Sequence, residues 1–244
     1  MPKRKSRAIV RQQTILGAFG VVALAVVGYL TWLTFESTPS DGFVEGQHYR
    51  VLEQPRRIRG DKIEVMEFFS YGCIHCYNFE PLITEWAEQR TDTVNLIQMP
   101  AVANEYWRLL GRTYYTLDAL NVREDHQLAL FRAIHDARLV FDTPEKIASF
   151  FESRGIDKDQ FDAAFTSAPV SRNLARADQL ARRMQVAAVP TVVVHGKYIV
   201  RTSRDVGTKR LLDVVEFLID KELNEEKEAT NANPEVKAEA QSAS

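Results

Sequence analysis

The sequence predicts an α/β fold in which a βαβ unit and a ββα unit flank a helical insertion, preceded by a single N-terminal transmembrane helix. Three observations predict it. Residues 62–99 read strand, helix, strand. Residues 104–185 carry apolar side chains three and four apart, and residues 191–224 close as two short strands and an amphipathic helix. An uncharged apolar run, residues 15–35, stands ahead of all of these.

That run, Ile15 to Phe35, spans 21 positions, roughly 31 Å as a helix at about 1.5 Å per residue, which matches the hydrocarbon core of a bilayer. Tyr29, Trp32 and Phe35 gather at its far end as an aromatic belt would. Lys3, Arg4, Lys5, Arg7 and Arg11 precede it, and no acidic residue appears before Glu36. Basic flanks stay inside, so residues 1–14 are expected in the cytoplasm, 15–35 as a retained anchor and 36–42 as a short polar linker. The alternative is a signal peptide cleaved near Ala23-Leu24-Ala25, but the apolar run continues for about ten residues beyond that point, past the usual end of a signal core. Either way the body of the chain is exported.

Within the body, Lys62–Ser70 has strand composition and Gly72 interrupts it. A helix is predicted from Cys73 to about Arg90, with Phe79, Leu82, Ile83 and Trp86 on one face and a kink at Pro81. Thr93–Met99 reads as the next strand, and strand, helix, strand in that order implies a parallel pair. Asn104–Asn121 and Glu124–Leu139 read as helices. Thr143-Pro144 opens another that Gly155 stops, and Asp157 with Gln160 forms a capping-box pattern for the next. A further helix covers about Pro169 to Gln185. Thr191–Val194 and Lys197–Val200 form a hairpin around His195-Gly196, and a last helix spans about Asp205 to Asn224. Residues 225–244, rich in Glu, Ala, Asn and Ser without an aromatic, are expected to be disordered. The expected units are therefore 43–100, an insertion at 101–184, and 185–224.

Composition excludes some functions. Of 31 basic and 33 acidic residues, five bases and one acid lie before residue 37, leaving 26 against 32. An acidic body is a poor footprint for nucleic acid. The chain has only two cysteines, Cys73 and Cys76, separated by Ile74 and His75. A bridge between them closes almost no loop, so its value lies in chemistry rather than in stability. In an oxidising compartment such a pair reads as a redox couple. Structural zinc usually takes four ligands, and Cys73, Cys76 and His75 supply at most three, so no metal is expected.

Cys73 falls at the start of its helix, where unpaired amides and the macrodipole favour a thiolate, and His75 can add charge or a donor to the same sulfur. Cys76 lies one turn inside. Hence Cys73 is expected as nucleophile and Cys76 as resolver. Glu67 shares a strand face with Ile63, Val65 and Phe69. In the middle of a parallel sheet such a carboxylate has a raised pKa and can exchange protons with the resolving thiol; pairing with a surface base at a sheet end is the plainer possibility.

Glu67, Phe68-Phe69-Ser70-Tyr71-Gly72-Cys73-Ile74-His75-Cys76, Glu45–Leu52, Val189-Pro190 and Gly196-Lys197-Tyr198 together resemble the DsbA family of periplasmic thiol oxidases, over roughly residues 43–224. The resemblance implies a thioredoxin-like fold and net oxidation of dithiols in exported proteins, with the Cys73–Cys76 disulfide in place of any cofactor. It also implies a cis Pro190, with Val189 and Ile74 facing an extended substrate, a monomer, and a quinone-linked inner-membrane reoxidant of the DsbB type. Two features depart from the family. Ile74 stands where proline is common, and a transmembrane anchor is unlike the soluble members. With that anchor, the expected location is the bacterial inner membrane, single-pass, with the catalytic domain in the periplasm. Two alternatives stay open: an anchored thiol reductase or isomerase arm, although such reductases usually place Trp where this chain has Gly72, and a substrate-binding or chaperone-like protein that uses the groove without the thiols.

Overall fold

The computed structural model describes residues 42–58 and 60–232; the expected cytoplasmic segment, anchor and linker of residues 1–41 lie outside them. Five strands form one mixed sheet: β1 (Tyr49–Val51), β2 (Ile63–Phe69), β3 (Val94–Pro100), β4 (Thr191–Val194) and β5 (Tyr198–Arg201), in the order β1-β5-β4-β2-β3. As expected from the βαβ pattern, β2 and β3 run parallel. The expectation that the Glu67 strand lies in the middle of a parallel sheet is corrected, because β4 pairs with β2 antiparallel. Beyond β4, the tight His195-Gly196 turn reverses the chain into β5, with φ of 48° and 63°. Both residues take the left-handed conformation that the two central positions of a type I′ turn demand, and the Lys197 N–H closes that turn on the Val194 carbonyl oxygen at 3.0 Å. A Cβ at Gly196 would lie 2.7 Å from the Arg56 carbonyl oxygen, so only glycine fits.

Seven helices accompany the sheet among the described residues: α1 (Ile74–Glu88), α2 (Glu105–Ala119), α3 (Arg123–His135), α4 (Pro144–Glu152), α5 (Lys158–Phe165), α6 (Ala168–Arg183) and α7 (Thr208–Ala232). Four start on a side-chain cap: Asn104 for α2, Thr143 for α4, Asp157 for α5 and Ser167 for α6, each accepting from a backbone N–H three residues on. Helix α1 starts differently. Its N-cap is Cys73, in extended conformation and without a side-chain cap, so its first amides stay available to the sulfur. Pro81 lies inside α1, and the helix continues across it to Glu88.

Alternation in β2 sorts the core. Ile63 and Val65 pack with Phe79 and Ile83 of α1 and Leu211, Val214 and Leu218 of α7. Met66 and Phe68 face the other way, towards Ala181 and Met184 at the end of α6. Every residue of β2 is buried, as a central strand covered on both faces must be. Helices α2 to α6 form their own core around Leu110, Phe131, Phe151 and Phe161, which reaches Phe69 and Tyr71 just before the cysteines. The end of β2 and the start of α1 thus sit where the two cores meet.

The last helix runs past the expected boundary. Residues 225–232 are helical, not disordered, because Lys197 Nζ on the hairpin donates to Glu222 Oε1 at 2.7 Å and Glu225 Oε2 at 2.8 Å. Glu, Lys and Ala in this stretch are also good helix formers. The remainder of the expected tail, 233–244, lies outside the described residues.

Candidate active site

Cys73 and Cys76 occupy the first turn of α1 in their dithiol form. Their environments differ sharply. Cys73 is half-buried, whereas Cys76 is 1% exposed. The Cys73 thiol donates to the Val189 carbonyl oxygen at 3.5 Å, and the Val189–Pro190 peptide bond is cis. Val189 is half-buried and Pro190 buried, while Ile74 (47% exposed) and His75 face solvent. The structure therefore brings Cys73, Ile74, His75 and Val189 together on one accessible face and keeps Cys76 and Glu67 behind it.

Electrostatics follow this arrangement. The Cys73 thiol is held down at about 6, chiefly by a hydrogen bond from the Cys76 thiol. Partial burial opposes the shift, and the backbone N–H groups of Cys76 and His75 and the charge of His75 add to it. The uncapped helix start supplies those amides. Burial pushes the Cys76 thiol far up, reinforced by its hydrogen bond to Cys73 and the nearby charge of Glu67. One sulfur is thus an anion at neutral pH and the other a thiol.

Glu67 is 0% exposed. Burial, and after it the neighbouring charge of Glu80, raises its carboxyl to about 8; a hydrogen bond from Gln98 pulls the other way. Gln98 Nε2 donates to Glu67 Oε2 at 2.8 Å, and Glu67 Oε1 has no protein partner. The alternative of a surface base at a sheet end does not hold.

Three residues of the site escaped the sequence reading. Gln98 stands opposite Glu67 in the β2–β3 register, and a polar residue in a predicted strand was the available signal. Glu80 lies one turn beyond Cys76 on the buried face of α1. Gln127, on α3, is 3% exposed and donates to Glu80 Oε1. Gly72 is a fourth. A Cβ there would meet Trp107 Nε1 at 3.0 Å and Tyr106 Cε1 at 3.2 Å, so any side chain in the turn before Cys73 presses on two aromatic rings.

The chain matches the family model of the DSBA-like thioredoxin domain over residues 97–216. It is 36% identical over 184 residues to the thiol:disulfide interchange protein DsbA of Pseudomonas aeruginosa, covering 75% of this chain and 87% of that protein. With the protein of the same name from Azotobacter vinelandii it shares 39% over 185 residues, covering 76% and 86%. Among solved structures, Pseudomonas aeruginosa DsbA matches with a TM-score of 0.73 at 35% identity, over 77% of this chain and 98% of that one. The Xylella fastidiosa oxidoreductase DsbA matches with a TM-score of 0.69 at 28% identity, over 74% and 98%.

These relatives correct the expected location. They are periplasmic DsbA proteins, which points to the periplasm in place of a single-pass inner-membrane position. No helix among the described residues is long and apolar enough to cross a membrane.

Proposed function

The chain belongs to the DsbA family and is a thiol:disulfide oxidoreductase that introduces disulfide bonds into exported proteins, and from that premise we propose how its residues divide the work. Family members carry a redox-active disulfide and no external cofactor; here that disulfide is Cys73–Cys76. A substrate thiolate attacks Cys73 Sγ, the Cys73–Cys76 bond breaks, and Cys76 leaves with the electron pair and takes a proton from Glu67. The substrate's second thiolate then attacks its own sulfur in the mixed disulfide and expels Cys73 as a thiolate. The substrate has lost two electrons and the couple has gained them; both substrate protons go to solvent as its thiols ionise, and Glu67 regains one from solvent, so that one proton ends on the enzyme.

The observation that carries this division is the contrast between an accessible, thiolate-stabilising Cys73 and a buried, protonated Cys76. An acidic thiol is the better leaving group, which drives the second step forward. His75 supports the Cys73 anion through its amide and its charge. Ile74 and Val189 face the substrate beside Pro190. The Val189 carbonyl, next to Cys73, is a backbone acceptor for an extended segment. The two-electron cycle of substrate oxidation and enzyme reoxidation closes on a quinone-linked membrane partner of the DsbB type, which takes the electrons from the reduced pair.

The test mixes reduced, unfolded substrate protein with the oxidised full chain and with Cys73→Ser. Disulfides are expected to form stoichiometrically with the wild type and not with the variant. Equal disulfide formation by the variant would sink the assignment and favour a groove that binds without exchanging thiols.

A further inference from the structure

The helical insertion grips the cysteine motif on both flanks, and it does so with two consecutive residues. His135 is the last residue of α3. Its Nε2 lies 2.8 Å from the carbonyl oxygen of Tyr71, two residues ahead of Cys73. Asp136 follows as the helix cap, and its Oδ2 accepts from the hydroxyl of Tyr77, one residue beyond Cys76, at 2.7 Å. The Tyr77 ring lies nearly parallel to the His135 imidazole, with 5.3 Å between centroids and 9° between planes. Phe131, one turn back on α3, stacks on both rings.

This arrangement fixes the direction of the His135 bond. A carbonyl oxygen only accepts, so Nε2 carries the hydrogen and donates it to Tyr71, whether or not Nδ1 is protonated as well. Tyr71 is 1% exposed, so its carbonyl has no ready substitute in water when that donor is lost. The same peptide unit is held at its other end, where the Gly72 N–H donates to Ser70 Oγ at 3.2 Å. The next N–H, of Cys73, donates to the Ser70 carbonyl oxygen at 3.0 Å. Gly72 has no Cβ to restrict its backbone, so these three bonds set how the chain enters α1. Two of them come from Ser70 within the turn. The third comes from the insertion.

We propose that His135 is a positioning residue for Cys73: by holding the Tyr71 carbonyl it fixes the Gly72 turn, and the turn aims the Cys73 sulfur at the amides of His75 and Cys76. The proposal rests on Cys73 as the nucleophile. It gives the insertion a part in the exchange reaction through α3. The effect falls on the anion, because amides at a helix start stabilise a thiolate far more than a sulfur in a disulfide. Both amides bear on Cys73 here. A turn released from His135 therefore weakens the reduced state more than the oxidised one, and the couple becomes a poorer oxidant.

The experiment compares the full chain with His135→Phe, His135→Met and His135→Gln. The first keeps a ring against Tyr77 and loses the donor. The second fills the space with neither ring nor donor, and the third keeps an N–H donor. Thiolate absorbance of the reduced protein is read against pH, and the balance of dithiol and disulfide is read in glutathione buffers. Denaturant unfolding of each variant reports stability separately. In His135→Phe and His135→Met the ionisation near 6 is expected to rise by about half a unit or more. The glutathione balance is expected to move towards the disulfide by about threefold or more, within the range of one net hydrogen bond. His135→Gln is expected to stay close to wild type in both. Wild-type titration and balance in the first two variants, whatever their stability, overturn the proposal and leave His135 a packing residue. A His135→Gln as displaced as they are also overturns it, since the donor is then not what matters. Should one of the first two fail to fold, the other decides. An ionisation near 6 that survives in Cys73→Ser marks failure of the underlying assignment, and takes the proposal with it.

Discussion

Cys73 and Val189 lie 116 residues apart in sequence, yet the Cys73 sulfur sits 3.5 Å from the Val189 carbonyl oxygen. The contact joins the first turn of α1 to the loop entering β4, and it places a backbone acceptor beside the more accessible of the two cysteine sulfurs. Behind it, the Cys76 thiol and the Glu67 carboxyl are closed off from water. The chemistry follows from this separation of an exposed anion from a buried acid.

Two neighbours hold the Cys73 thiolate to different degrees, and substitution separates them. The Cys76 thiol is the largest influence, while His75 acts in part through an amide that alanine keeps. Cys76→Ala is therefore expected to raise the Cys73 pKa more than His75→Ala does. Ultraviolet thiolate absorbance measured against pH gives the order, and the reverse order contradicts the assignment.

Glu67 makes stability depend on pH in a definite direction. Its folded-state pKa, about 8, lies above the ordinary 4.5, so between those values the native state binds more protons than the unfolded state. Stability then falls as pH rises through that window, at up to about 1.4 kcal/mol per unit. Glu67→Gln removes the effect. Denaturant unfolding at pH 5 and pH 8 (about the two ends of that window) is expected to show a variant that gains on wild type at the higher pH. A constant difference between the two would count against the buried, protonated carboxyl.

Gly72 is tightly packed against two rings. Its Cα faces Trp107 and Tyr106 at distances that a methyl group already strains, and overpacking typically costs about 1–3 kcal/mol. Gly72→Trp should lower the melting temperature by about 2–4 °C per kcal/mol lost, and calorimetry measures the drop. A variant as stable as wild type would show that the two rings move aside freely.

Phe131 ties the helical insertion to the active-site turn. It is fully buried and packs against Phe69 at 6.0 Å, Tyr71 at 4.8 Å and Tyr77 at 5.9 Å between ring centroids. Next along α3, His135 Nε2 meets the Tyr71 carbonyl oxygen at 2.8 Å. Phe131→Ala is expected to cost about 3–5 kcal/mol in urea unfolding. A loss below about 1 kcal/mol would mean that the insertion is not coupled to the active-site turn there.

The sequence made the cysteine pair, Glu67 and Val189-Pro190 legible because each carries its signal locally or in a motif. Phe79, Ile83 and Trp86 marked the buried face of α1 by spacing alone. Glu80, Gln98 and Gln127 were not legible, because their meaning depends on the β2–β3 register and on how α3 docks against α1. Strand β1 is three residues long, too short for alternation to register, and its partner β5 is distant in sequence. The antiparallel pairing of β4 with β2 is likewise a long-range choice. The end of α7 was missed because its composition fits both a helix and a disordered tail, and Lys197 decides between them from another element.

The central claim is that Cys73 is an anion at neutral pH while Cys76 is not. Titrating the thiolate absorbance of the reduced full chain tests it most directly. A single ionisation near 6, lost in Cys73→Ser, is the predicted result. An ionisation in the range of an ordinary cysteine, about 8.5, would contradict it.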